Sequence, residues 1–175
     1  MSDPTPSRRL EGRGIFDDDL VRELLAARTI AVLATFDREK IHAVPMWFAP
    51  GDTCVLLATG SGSRKVRNLE ADDRATLVIH DSRPGFEICG VSLAGRIEIV
   101  SGSEAQPLVE RVHRQYVTLD AEGELEVGGF LASDDVALRF LPESALTWDE
   151  RSAPASRALR SAGGALPLLP TDPRP

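Results

Sequence analysis

Arg28-Thr-Ile-Ala-Val-Leu-Ala-Thr-Phe36, Asp37-Arg-Glu-Lys40, Ile41-His-Ala-Val-Pro-Met-Trp-Phe-Ala49, Pro50-Gly-Asp52 and Thr53-Cys-Val-Leu-Leu-Ala-Thr59 follow one another without a break. The long pieces are apolar and rich in strand formers; the short ones are polar or carry Pro-Gly. Strands joined by turns of about four residues pair as antiparallel neighbours, because a parallel crossover needs a dozen residues or more. The stretch therefore predicts a three-stranded meander.

Working outward, Asp17 to Ala27 predicts a short helix, with aspartates at its positive end and Leu20, Leu24 and Leu25 on one face. Downstream, Gly60-Ser-Gly-Ser63 interrupts the strands, and Ser63 is placed to cap a helix of about two turns with Val66 and Leu69 inward. Further strands are predicted over 75–80, 86–100 and 136–141, the last continuing through 145–148. A helix is predicted near 103–116, where Leu108, Val112 and Tyr116 share a face suited to core or dimer packing. The 86–100 strand holds Gly90 and Gly95, which suit a bend. Six mostly sequential strands with one bent member predict a mainly β (α+β) fold, a six-stranded antiparallel barrel with a few flanking helices; a two-sheet sandwich is the other closure.

The chain has 175 residues, so one domain is expected. Residues 1–14 carry two prolines and two glycines and read as a flexible tail; 15–149 is the domain; 150–175 holds five of the twelve prolines and reads as a second tail without amphipathic period. The net charge of -7 argues against general nucleic-acid binding, which needs a basic face. No apolar run approaches the ~20 residues of a membrane span, and the first residues lack the apolar core of a secretory signal. The two cysteines support neither a disulfide framework nor a four-thiolate metal site. A reduced, cytoplasmic protein is the expectation.

Chemistry concentrates at Thr59-Gly-Ser-Gly-Ser-Arg-Lys-Val-Arg-Asn-Leu69. A strand, a Gly/Ser loop and a helix start offer free amides and the positive dipole end to an anion, with hydroxyls from Ser61 and Ser63. Arg64, Lys65 (one of only two lysines, with Lys40) and Arg67 oppose the helix dipole unless an anion sits among them. A solvated basic turn, with Arg64 and Arg67 paired to Glu70, Asp72 or Asp73, explains the same residues. The spacing fits neither a P-loop nor a dinucleotide fingerprint. The second candidate is His42-Ala-Val-Pro-Met-Trp-Phe48. Pro45 cannot donate to a ladder, so the strand has an edge there, where a flat ligand can lie beside His42, Met46 and Trp47. His42, His80 and His113 fall in different elements, so no metal site is expected, and Asp134-Asp135 reads as a turn.

These residues together resemble the flavin-binding split barrels related to pyridoxamine 5'-phosphate oxidase, and more narrowly their branch of F420-dependent (deazaflavin) oxidoreductases. The resemblance is carried by Ile41 to Phe48, Thr59, Ser63-Arg-Lys-Val-Arg-Asn-Leu69, Gly95-Arg-Ile-Glu98 and Leu146-Thr-Trp148, and spans roughly residues 17–149. It implies a split barrel and a homodimer with cofactor sites at the interface. It implies that Arg64 and Lys65 hold the cofactor phosphate with Ser61, Ser63 and Thr59, and that the backbone of His42, Val44, Pro45 and Met46 runs beside the ring. Trp148 would cover the ring from the other subunit. No Arg-Leu-His lies near the C-terminus, and Gly90 stands where pyridoxamine phosphate oxidases carry a glutamine, so vitamin B6 oxidation is not expected. The reading is hydride transfer between reduced F420, or FMN in its place, and a planar conjugated small molecule, with no catalytic side chain identified beyond water or His42 as proton source. Arg67 or Arg83 suits the acidic tail of F420. The alternative is a non-catalytic carrier or sensor of FMN, haem or a tetrapyrrole in the same groove.

Overall fold

The computed structural model describes residues 7–82, 88–118, 121 and 134–163. Eight strands run β1 (Ser7–Glu11), β2 (Ala31–Asp37), β3 (Lys40–Met46), β4 (Phe48–Pro50), β5 (Val55–Gly60), β6 (Arg74–Ser82), β7 (Ile88–Val100) and β8 (Asp135–Asp149). Among the described residues, helices α1 (Gly14–Asp17), α2 (Asp19–Ala26), α3 (Arg64–Ala71) and α4 (Gln106–Arg114) lie between strands, α5 (Pro154–Ser161) follows β8, and a 3₁₀ turn spans Gly102–Glu104.

All strand pairings are antiparallel, in the order β3-β2-β6-β7-β8-β5-β4, with β1 added to β8. The two ends of this path, β3 and β4, are consecutive in the chain, with Trp47 alone between them. The sheet therefore returns on itself through covalent continuity rather than through a hydrogen-bonded seam. This is the split barrel, and it excludes two separate sheets. Counted as one broken strand, β3 and β4 make the six expected strands. The difference from expectation is the break at Trp47 and the extra β1.

Alternation along the strands sends Leu33, Leu57, Leu77, Ile79, Val91, Leu93, Leu138 and Phe140 inward, all fully buried. Each such side chain contributes roughly 1.5–3 kcal/mol. Asp18 caps α2 by accepting from the amides of Leu20 and Val21, which directs Leu20, Val21, Leu24 and Leu25 into this core. Val66 and Leu69 of α3 join it too. On the outer face of β5, Val112 of α4 packs with Ala49, Cys54 and Leu56.

Gly95 lies at the register shift of β7, opposite Pro142, where a Cβ would collide with the Leu141 carbonyl. The bend is at Gly95; Gly90 instead makes room for the indole of Trp148. The expected tails need correction in part. Ser7–Glu11 is a strand because β8 offers it an edge at Ser144–Trp148. Pro154–Ser161 is a helix, anchored where the buried Ser156 hydroxyl donates to the Glu150 carbonyl at 2.6 Å. Residues 1–6 and 164–175 of the two tails, residues 83–87 with Arg83, and the start of the predicted 86–100 strand lie outside the described residues. Among the described residues, no helix is long and apolar enough to cross a membrane.

Candidate functional site

The break between β3 and β4 leaves each strand bonded on one side only, so Pro45 does sit on a sheet edge. Beside it is a cavity of about 280 Å³, lined by Pro45, Met46 and Trp47 at the strand break, Ala58, Thr59 and Gly60 of β5, Asp135 beside Gly60 on β8, and Val112 and His113 of α4.

Thr59 and Gly60 lead from this cavity into the loop. The Ser61 amide donates to the Asp134 carbonyl at 3.0 Å, and its hydroxyl to the Asp134 carboxylate at 2.7 Å. The Ser63 amide closes a turn on the Gly60 carbonyl at 3.0 Å. Ser63 occupies the N-cap position of α3, yet its side chain makes no capping bond; its hydroxyl lies 3.4 Å from that of Thr59. The first-turn amides of α3 thus lack the partner a capping serine supplies.

The two adjacent cations differ. Arg64, 53% exposed, pairs with Asp37 at the end of β2 and holds its carboxyl below the usual carboxylate range. Lys65 is half-buried, and its Nζ donates to Thr59 Oγ1 at 2.7 Å. Burial pushes the Lys65 pKa down, and nearby Asp135 partly opposes that. Arg67 turns back to donate to the Gly62 carbonyl at 2.6 Å. The carboxylates once open as partners go elsewhere: Asp72 to Arg74 and Asp73 to Arg96.

The far wall is built from distant segments. His113 Nε2 stands 3.6 Å from Asp135 Oδ2, with their side chains only 7% and 10% exposed. Burial lowers the imidazole pKa more than Asp135 raises it, which favours neutral His113 near pH 7. Trp47 meets His113 edge-on and stacks on Tyr116, with centroids 4.8 Å apart. The Tyr116 hydroxyl donates to the Thr29 carbonyl at 2.7 Å and accepts from the Phe48 amide at 3.2 Å, which fixes the strand break from behind.

Of the ten predicted site residues, Pro45, Met46 and Thr59 line the cavity; Ser61, Ser63, Arg64 and Lys65 surround the adjoining loop. His42 and Val44 do not line it. Alternation places them on the more buried side of β3; His42 Nδ1 is sequestered without a hydrogen bond, and Asn68 holds Thr35 across from it. Trp148 lies near the other end of β8, against Gly90 of its own chain. Trp47, expected beside a flat ligand, does line the cavity. His113, Asp135 and Tyr116 carry no local signal of a ligand: His113 and Asp135 meet at the cavity because α4 packs on β5 and β8, and Tyr116 stands behind Trp47.

A family model described as pyridoxamine 5'-phosphate oxidase matches residues 17–149. No curated protein matches the chain. Among solved structures, a conserved hypothetical protein from Mycobacterium tuberculosis is similar with TM-score 0.65 and 24% identity, over 81% of this chain and 91% of that one. An F420 reductase is similar with TM-score 0.55 and 18% identity, over 71% and 94%. The heme storage protein HutZ from Vibrio cholerae is similar with TM-score 0.58 and 15% identity, over 74% and 92%. At these identities the likeness shows a shared fold.

Proposed function

Because the chain belongs to the pyridoxamine 5'-phosphate oxidase family, we propose that it is an oxidoreductase transferring a hydride between reduced F420, or FMN in its place, and a planar conjugated small molecule. The observation that carries this is Lys65: a half-buried ammonium, bonded to a hydroxyl rather than to a carboxylate, beside an uncapped helix start and a cavity floor.

The residues fit such a cofactor in two parts. A cavity of about 280 Å³ falls near the lower bound of ~300 Å³ for small-molecule pockets, enough for part of a ring system and not for a whole phosphorylated cofactor. The ribityl phosphate then belongs outside it, on Lys65, Ser63 and the first amides of α3, which offer charge and N–H donors together. Pro45, Met46 and Trp47 form the apolar side for the ring. A bound deazaflavin or flavin supplies the two-electron chemistry. The chain's own residues anchor, orient and shield it. His42 is dropped as proton source, since its imidazole does not reach the cavity.

A homodimer is part of the proposal. The less buried faces of β2 and β3 align Val32 with Pro45, Ala34 with Ala43 and Phe36 with Ile41, and Ile41 is 71% exposed. That is an apolar strip of the kind a second subunit covers. The function is tested by equilibrium titration with F420 and FMN side by side, followed by turnover with conjugated acceptors. Binding without turnover beyond that of free cofactor would leave a carrier; no binding would remove the reading. Light scattering tests the dimer.

A further inference from the structure

Anchoring a phosphate leaves one lining residue of the cavity unexplained. Asp135, paired beside Gly60 at the start of β8, has nine-tenths of its side chain buried. Its Oδ1 lies 3.9 Å from where a Cβ on Gly60 would stand, so the carboxylate overhangs the cavity floor. Among the described residues it accepts no side-chain or backbone hydrogen bond. His113 Nε2, at 3.6 Å, is beyond hydrogen-bond reach, and the Lys65 ammonium donates to Thr59 instead. A carboxylate this buried keeps acceptor capacity for a donor brought by a ligand, and it repels rather than attracts a phosphate. Around it, Pro45, Met46, Trp47 and Val112 are apolar. An occupant that suits this wall is flat, apolar on its faces, and carries a hydrogen-bond donor on its edge.

We propose that Asp135 is the acceptor for the imide N–H on the edge of a pyrimidinedione-type ring, which makes the site selective for planar heterocycles with such a donor and against macrocycles whose outer polar groups are carboxylates. This rests on the ring-binding reading above and adds a recognition residue to it. The Lys65 ammonium attracts Asp135 electrostatically, His113 packs beside it at 3.6 Å, and Gly60 leaves the space next to it clear.

The test changes the ligand first, so that folding is not at issue. FMN and its N3-methyl derivative, which lacks the imide N–H, are titrated against the wild-type protein by fluorescence. Methylation is expected to weaken binding by about ten- to hundredfold, the range for a hydrogen bond to a charged group. Asp135→Ala is expected to lose a similar factor for FMN, to show little further loss with the methylated ligand, and to keep its competition by inorganic phosphate. Equal affinity of the two ligands for wild type, FMN binding to Asp135→Ala as tight as or tighter than to wild type, or hemin binding more tightly than FMN, overturns the proposal. If neither FMN nor F420 binds wild type, the cofactor reading itself fails and the inference goes with it; if FMN binds and methylation is without effect, the inference fails alone.

Discussion

The start of α3 and the wall that Trp47 and His113 form in the cavity are made in opposite ways. The α3 start is one contiguous stretch, Gly60 to Arg67, whose polar residues are exposed or half-buried and mostly bond to near neighbours or to surface partners. The wall is Trp47, His113 and Asp135, drawn from the strand break, α4 and the first residue of β8, with Tyr116 stacked behind Trp47, and it is held by packing. Charge presented by a short loop can be removed without unfolding anything. A wall assembled by packing couples ligand recognition to stability.

The largest effect expected from this contrast is on binding. Arg64→Ala with Lys65→Ala is expected to weaken FMN or F420 by about 2–5 kcal/mol, most of it from Lys65, while the thermal midpoint stays nearly unchanged. Fluorescence titration and a melting curve read the two halves of that statement. The same cation gives a pH test. The lowered Lys65 pKa means its charge is present at neutral pH and is lost, as pH rises, earlier than for an ordinary lysine. Affinity for the phosphorylated ligand should fall as pH climbs toward 10, and Lys65→Arg should flatten that fall. An unchanged slope in Lys65→Arg would place the titrating group elsewhere.

Next in size is Tyr116→Phe, which leaves the Phe48 amide and the Thr29 carbonyl without their partner. A stability loss of about 1–2 kcal/mol is expected in denaturant unfolding. FMN affinity should drop with it, because Trp47 loses its backing. If stability falls and affinity does not, the wall takes no part in binding. The smallest effect is that of Arg64→Ala alone, under about 1 kcal/mol in binding: this arginine must leave an exposed pair with Asp37 to reach any ligand. A loss as large as that of Lys65→Ala would mean the Asp37 pair orients Arg64 for the ligand rather than competing with it.

Much of the barrel and half of the site can be read along the chain. The meander over 28–59, the edge at Pro45 and the cation-bearing helix start depend on spacing within a few residues: turn length, a missing N–H, the order of strand, glycine and helix. The same locality explains the errors. Ser7–Glu11 has little apolar content and becomes a strand only because β8 has an edge to share. His42 shares a face of β3 with Met46, but it lies four residues farther along the strand, beyond the cavity that Met46 lines, and proximity to Pro45 in sequence could not tell the two apart.

Sequence alone determined most of the elements over 17–149 and that one loop carries concentrated positive charge, because propensity, turn chemistry and capping act over short distances. The tertiary structure decided which cation is spent on a surface partner, which is kept at the cavity, and that Asp135, read in isolation as part of a turn, overhangs the ligand space. Those outcomes depend on burial and on contacts between residues far apart in the chain. Only closing the barrel and docking α4 on β5 and β8 create them.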